Sequence, residues 1–490
     1  MISLSNTSDD LNHSPRRRSL SRILGVGFGI AVIFGGTVGV GILRLPGTIA
    51  GEMGSFWPII VMWLIGGVYA LLGAVSIAEL GTSMPQAGGF YVYARRAFGP
   101  AAGFAMGWAD WLNNCAVVAF ASVAAAEYLA ALFPRLLHMQ TPVALTILLV
   151  FCGLQWNSLR ISSSVQQVAS SITAITFVLL AVACLLHHGV TDLHATAVIS
   201  PNHTPGFLQR IIPIVAAMRA VVVTYDGWYE AIYFTEEDTD AAKHLSRAMI
   251  GGVLIVLGLY LLMNLAFLHV LSIPALAASS LPAADVARMV FPAWSGAFVT
   301  VLSLLTLLSL INAALLGAPR ILFAIGRDGL FSARAARVAP GGTPRVALAL
   351  SAAMVAFFIA SGKFEDIIAV AAILVAIMYC VNYIAVFVLR VREPQMDRPF
   401  RAWGYPLTTG VVLAGSLVFL VADLHDDPRG AIRAAALLGL ALPAYAWMRR
   451  KIRGVDTSSA AFPAAASDCE TIIPGDSKLV QERNRPNPRT

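Results

Sequence analysis

Gly35, Gly36, Gly39 and Gly41 fall within the stretch GGTVGVGILRLPG, residues 35 to 47, inside a long apolar segment that begins near Ile23. Each glycine weakens a helix by about 1 kcal/mol relative to alanine, so this spacing marks an apolar helix built to break. A break frees backbone N–H and C=O groups, which is tolerated at membrane depth only where they line a wet or ligand-filled cavity. The half-helix starting near Ile42 then aims unpaired N–H groups and a positive dipole end at that cavity, suiting a carboxylate. The carbonyls that end the other halves suit an ammonium group. An α-amino acid carries both charges. Tight small-residue packing, as expected for Gly25, Gly29, Gly66 and Gly73, is the competing explanation. A second interruption, TYDGW at residues 224 to 228, falls in the sixth apolar run at a similar depth. There Asp226 is expected either to contact a substrate ammonium, to exchange a proton, or to N-cap a half-helix beginning at Trp228.

The elements that must position these residues follow from composition. The 490 residues are 58% hydrophobic and only 12% charged, against roughly 25% charge in an ordinary soluble domain. The chain therefore reads as an all-α integral membrane protein with one polytopic domain. Apolar runs of span length start near Ile23, Phe56, Ala101, Val143, Val165, Phe207, Leu245, Phe291, Val346, Phe364, Pro406 and Ala431, which predicts twelve transmembrane helices. The runs are too long and continuous for the alternating strands of a membrane β-barrel. Breaks in the first and sixth runs, five spans apart, predict a five-plus-five inverted repeat, because an odd number of spans reverses direction across the membrane. The expected layout is a cytoplasmic tail over 1–21 and a transmembrane domain over 22–453. Within it lie repeats at about 22–190 and 207–390 and two further helices at about 406–449; a disordered tail follows over 454–490.

Charge placement sets orientation. Arg16, Arg17, Arg18 and Arg22, then Arg95 and Arg96, Arg327 to Arg345, Arg390 to Arg401 and Arg449 to Arg453 all flank alternate ends of the runs. The opposite loops carry His187, His188, His194, Asp423, Asp426 and Asp427. The positive-inside rule places both termini in the cytoplasm of a multi-pass protein of the cytoplasmic, or inner, membrane. The net charge of +7 reports this topology, and the spread of cations over loops argues against nucleic-acid binding. No removable signal peptide is expected, the first span being the insertion signal. Cys115, Cys152, Cys184 and Cys380 fall in spans and Cys469 in the tail, so no disulfide-linked partner is expected. No phosphate-binding loop, zinc motif, metal cluster or dinucleotide fingerprint is found, so neither an enzyme nor a cofactor is expected. Glu236 and Glu237 are candidates to close an inner gate with Arg22, Arg320 or Arg327. Arg219 is expected to steer anions or to pair with an acid such as Asp110. Glu79, Asp110 and Glu127 are expected as structural or gating partners.

GGTVGVGILRLPG resembles the first-helix signature of the amino acid, polyamine and organocation transporter superfamily, G-x-x-x-G-x-G-[IV]-[FL]-x-x-P, with Gly35, Gly39, Gly41, Ile42, Leu43 and Pro46 in place. AELGTSMPQAGGFYVYARRAFGPAAGFAMGWADW, from Ala78 to Trp111, is similar to that family's second-to-third helix stretch. TYDGWYEAIYFTEEDTDAAKHLSRAMIGG is similar to the sixth-helix pattern of its L-type amino acid transporter branch. The resemblance implies a permease carrying amino acids by alternating access, as symporter or exchanger. A polyamine or organic-cation carrier of the same fold and a non-transporting amino acid receptor are the alternatives. Carried over by position, Val38, Gly39, Val40, Gly41 and Ile42 would bind the substrate carboxylate, and Val223, Tyr225, Asp226, Gly227 and Trp228 would line the amine and side-chain pocket. Val40 departs from a frequent serine, and Thr173 stands where many members without sodium coupling carry a lysine. The resemblance therefore leaves open whether Gly36, Thr173 and Ser309 form a sodium site or ion linkage has been lost; Na+ and H+ are both candidate coupling ions.

Overall fold

The computed structural model describes residues 20–188, 207–362 and 364–459. In chain order these form α1 (Val26–Thr37), α2 (Gly41–Met53), α3 (Phe56–Ser83), α4 (Phe90–Phe98), α5 (Pro100–Leu132), α6 (Gln140–Asn157), α7 (Leu159–Leu186) and α8 (Phe207–Tyr225). A 3-10 segment, Glu230–Glu237, follows. Then come α9 (Ala241–Val270), α10 (Ile273–Ala278), α11 (Pro282–Val290), α12 (Ser295–Arg327), α13 (Arg345–Ser361), α14 (Phe364–Arg392), α15 (Leu407–Asp426) and α16 (Pro428–Ser459). The residues from Arg449 onward separate as a unit of their own, whose described part continues α16 as helix to Ser459, beyond the expected boundary at 453. Arg16, Arg17, Arg18, His194, Cys469 and the remainder of the expected tail lie outside the described residues.

Among the described residues, eight helices are long and apolar enough to cross a membrane, and a ninth span is counted if α1 and α2 are taken together. The other expected runs form α6, α8 and α13, which are shorter, at 18, 19 and 17 residues. Buried polar side chains within the spans mostly satisfy themselves on the turn below: Ser76, Ser122, Thr224 and Asn264 each donate to the carbonyl four residues earlier. This is the economical way to carry a hydroxyl or amide where no water is available. Leu179, Leu186 and Val421 stay exposed on outer faces, as lipid-facing side chains do.

The interior is organised around α5 and α12, which pack on each other more extensively than any other pair, with α3 against α9 next. α1 packs on α9, α7 and α12, while α8 packs on α3 and, through its end, on α2. The largest buried side chains, among them Trp63, Tyr225, Tyr260 and Tyr383, gather where these helices meet the interruptions. α15 and α16 are the least buried of the long spans and lie at the margin.

Candidate functional site

The first interruption is a 53° bend between α1 and α2. α1 ends with the Val38 N–H donating to the Phe34 carbonyl at 2.8 Å, and no side chain caps the start of α2. The Leu43 N–H donates to the Val40 carbonyl at 3.1 Å, while the Gly41 and Ile42 N–H groups at the start of α2 have no side-chain cap. Gly39 faces open space, while a side chain on Gly41 would meet Thr224 at 3.2 Å, so the start of α2 abuts the end of α8. Ile42 and Val38 are buried, and Val40 is half-buried. α2 starts at Gly41, one residue before the start near Ile42 that the sequence suggests.

The second interruption departs from expectation. α8 stops at Tyr225, and a turn over 226–229 leads into the eight-residue 3-10 segment, not into an α-helix from Trp228. A 3-10 run of this length is uncommon and typically marks a hinge or a strained sequence. The capping role weighed for Asp226 is corrected, for its carboxylate accepts the Tyr379 hydroxyl of α14, and no side chain caps the 3-10 segment. Gly227 has φ of 102°, and a Cβ there would lie 2.5 Å from the Gly36 carbonyl oxygen, so backbone conformation and space both require glycine.

The two interruptions therefore touch. Above their contact the Tyr260 hydroxyl of α9 donates to the Thr37 and Thr224 carbonyls, each at 3.0 Å. One side chain thus holds the C-terminal carbonyl ends of both α1 and α8. Tyr225 donates to the Trp63 carbonyl at 3.2 Å and packs against Tyr260 at 4.9 Å, while Trp228 stacks on Tyr379 at 5.5 Å. Val223, expected to line the pocket, is 60% exposed and stands on the wall of a cavity at the end of the bundle away from the arginine clusters, the outer cavity if those clusters face the cytoplasm. That cavity, of about 210 Å³, is also lined by Asp226, Tyr379, Asn113 and Val222. At its mouth Arg219 pairs with Asp423, at 3.2 Å, and with Asp426; pairing was expected, but Asp110 is not the partner. A larger cavity, about 640 Å³, opens among α5, α13, α14 and α16 with a mostly apolar wall and shares Asn113 with the first.

The three candidate ion-site residues face different neighbours. Gly36 packs on Glu230, whereas Gly35 faces Gln166, Ser170 and Ser309. Ser309 lies 3.1 Å from the Gln166 amide and 3.3 Å from Ser170, and both of those side chains donate to the Ala31 carbonyl. Thr173 is buried with its hydroxyl unpartnered. Asn312 extends the network to Gln166 at 2.8 Å, so an uncharged lattice of amides and hydroxyls grips α1.

Both acids expected at a gate are paired. Glu237 and Arg320 form a buried two-point ion pair at 2.5 and 2.9 Å, and Glu236 pairs with Arg327 at 2.6 Å. Arg22 is corrected: it is exposed and makes no ion pair among the described residues. Further pairs at the same end join Glu79 to Arg390 and Arg398, Arg95 to Asp328, and Arg96 to Glu393. Glu127 is exposed and pairs with no described cation.

Several residues of the site carried no sequence signal strong enough to single them out. Glu230 sits four positions after Asp226 in the same broken run, the one available cue. Tyr260, Tyr379, Gln166 and Asn312 are single uncharged residues in ordinary apolar helices, and only the packing brings them to the interruptions.

The chain matches the family described as amino acid permease over residues 29–431. It is 27% identical over 440 residues to the serine/threonine exchanger SteT of Bacillus subtilis (strain 168), covering 88% of this chain and 98% of that protein. It is 25% identical to the human b(0,+)-type amino acid transporter 1 over 421 residues, 84% of each chain. Identity is also 25% to the cystine/glutamate transporter of Pongo abelii over 431 residues, 85% of this chain and 83% of that one. With the helical membrane architecture, the match over most of its length means that this chain belongs to the amino acid permease family.

Proposed function

We propose that this protein moves L-amino acids across the cytoplasmic membrane by alternating access, as a secondary active symporter or an exchanger, with both termini in the cytoplasm. The observation that carries the reading is the meeting of the two interruptions. An uncapped helix start at Gly41 supplies N–H groups and positive dipole for a carboxylate. Beside it the Thr37 and Thr224 carbonyls, held by one hydroxyl, supply acceptors for an ammonium group. Val38, Gly39, Val40, Gly41 and Ile42 form the carboxylate side. Asp226 and Gly227 stand at the amine side, with Tyr225 and Trp228 packed behind them, and Val223 lies on the approach from the outer cavity.

The twelve-span, inverted-repeat layout is supported by the symmetry of the packing. With α1 and α2 as one span and α8 with its 3-10 continuation as another, repeat one comprises α1/α2, α3, α5, α6 and α7. Repeat two comprises α8 with its continuation, α9, α12, α13 and α14. Exchanging the repeats maps the α1–α9 contact onto α8–α3 and the α5–α14 contact onto α12–α7, and each of these contacts is present. The pairs α5–α12 and α3–α9 map onto themselves and are the two most extensive. Glu237–Arg320 and Glu236–Arg327 then close the cytoplasmic side.

One observation favours a second reading, a carrier of polyamines or organic cations: Asp226 lines the outer cavity, where it meets any cationic group that enters. Purified protein in liposomes loaded with one unlabelled amino acid or polyamine, and offered the same compound tritiated, tests both. Counterflow of zwitterions supports the permease. Uptake confined to polyamines and abolished by Asp226→Asn replaces it with the cation carrier.

A further inference from the structure

Glu230 and Asp110 are buried acids for which the transport geometry above has no use. Glu230 is 4% exposed and Asp110 fully buried, and Glu230 Oε2 and Asp110 Oδ2 each lack a hydrogen-bond partner. Asp110 Oδ1 accepts the Tyr233 hydroxyl at 2.6 Å and the Asn114 amide at 3.1 Å. Asp226 accepts the Tyr379 hydroxyl. Tyr233 ties Asp110 to the same 3-10 segment that carries Glu230, and Asp226 stands in the turn that leads into it.

Three carboxylates so placed cannot all be charged. An isolated buried charge costs far more than a hydrogen bond returns, and like charges add to the cost. Among the described residues, the elements packed on the 3-10 segment bring no buried cation that is free of a partner; Arg247 of α9 is exposed. α1 has no titratable residue, and Arg320 and Arg327 of α12 are paired with Glu237 and Glu236. On α9, Lys243 and His244 pair with Asp240 and Asp238, and Tyr260 holds the two carbonyls. Glu79 of α3 is paired with Arg390 and Arg398. The remaining groups around the acids are the Tyr229, Tyr233, Tyr379 and Tyr383 hydroxyls.

The charge is removed either by a bound cation or by a proton, and the space available separates the two. Asp226 lines the outer cavity, but Glu230 does not. A proton needs no cavity. Glu230 also sits where the interruptions meet, since a side chain on Gly36 would lie 2.6 Å from its Cγ. Any movement of α1 against the 3-10 segment changes the surroundings of this carboxyl first.

We propose that Glu230 carries an exchangeable proton, with Asp110 as its buried neighbour and Asp226 as its link to the outer cavity, and thereby couples amino acid movement to proton movement. The O–H bond at Glu230 Oε2 forms with a proton from water on one side of the membrane. Its cleavage returns that proton to water on the other side, so no oxidant or reductant is involved. The inference rests on the permease reading and names its coupling ion.

The test uses liposomes holding the full chain, with each tritiated proteinogenic L-amino acid supplied in turn. Counterflow is measured without a gradient, and accumulation is measured with the outside more acidic by one pH unit. Native protein is expected to accumulate substrate up to about tenfold, the limit for one proton per substrate, since one pH unit is 1.36 kcal/mol. A protonophore should abolish the accumulation. Glu230→Gln is expected to keep counterflow within about twofold and to lose the accumulation altogether. The proposal is overturned if native protein shows counterflow but no gradient-driven accumulation, or if Glu230→Gln accumulates as the native protein does. It is also overturned if Glu230→Gln and Glu230→Asp, both monodisperse on gel filtration, lose counterflow as well. Absence of counterflow for every amino acid in the native protein would sink the permease reading itself, a result distinct from all of these.

Discussion

Tyr260→Phe removes one oxygen atom from the point where the two interrupted helices are joined. The ring stays packed between Trp63, at 5.6 Å, and Tyr225, at 4.9 Å, so no cavity opens and little packing is lost. What disappears is a single proton shared between the Thr37 and Thr224 carbonyls, both at 3.0 Å. Because one O–H cannot make two full bonds, the pair of contacts counts as about one hydrogen bond, worth roughly 0.5–1.5 kcal/mol. Inside membrane proteins such bonds average nearer 0.6 kcal/mol. Leaving two buried carbonyls unpaired raises the cost, and about 1–2 kcal/mol in total is a reasonable sum, equivalent to a five- to thirtyfold change in an equilibrium. If the same carbonyls receive the substrate ammonium, the half-saturation concentration for counterflow in liposomes should shift by about that factor. Ser351→Ala is the control. Its hydroxyl also has two partners, Trp111 Nε1 and the Ala347 carbonyl, each at 2.9 Å, but lies away from both interruptions, so half-saturation should not move. A Tyr260→Phe protein that saturates within twofold of native would refute the claim that these carbonyls form the amine side.

Gly227→Ala should lower the thermal midpoint of the purified protein, because alanine at φ of 102° is strained and its Cβ meets the Gly36 oxygen at 2.5 Å; an unchanged midpoint refutes the requirement for glycine. Glu237→Gln leaves Arg320 charged and buried, a cost of roughly 3–5 kcal/mol, whereas replacing both by apolar residues of similar volume should recover most of it. Denaturation midpoints of the single and double variants decide this, and equal losses in both would contradict the argument. Arg96→Ala removes a pair whose arginine is 58% exposed, so it should cost no more than about 1 kcal/mol, with the difference from native shrinking at high salt.

Much of the helical architecture was legible because lipid imposes one rule everywhere: the starts near Phe56, Phe207 and Phe364 fall on observed helix starts, and others within a few residues. The glycines at 35 to 41 were equally plain as a weak point in an apolar helix, although Gly35 and Gly36 also serve close packing, where a Cβ would meet Gln166 and, at 2.6 Å, Glu230. The form taken by the second interruption was hidden, because Asp226-Gly227 fits a helix start as well as the turn into a 3-10 segment that is observed. Partners were hidden for a different reason. Arg219 could meet Asp110 or Asp423 with equal chemical sense, and only the folded arrangement brings Asp423 and Asp426 at the end of α15 to it. Glu230 is barely legible in sequence because its significance is a lack, an oxygen without a donor, which depends on the side chains packed around it.

At the arginine-rich end the backbone just before α1 is laced to the backbone just after the 3-10 segment. The Ile23 and Leu24 N–H groups both donate to the Glu237 carbonyl at 3.0 Å, and the Thr239 N–H donates to the Leu24 carbonyl at 3.1 Å. Glu237 is the same residue that grips Arg320 on α12. The near halves of both interrupted helices are thus yoked into a single lever, fastened to α12 by Arg320 and Arg327 and to α7 through the Ala31 carbonyl. A displacement that carries one half away without the other must tear three backbone bonds, whereas one that releases these side-chain fastenings carries both halves together.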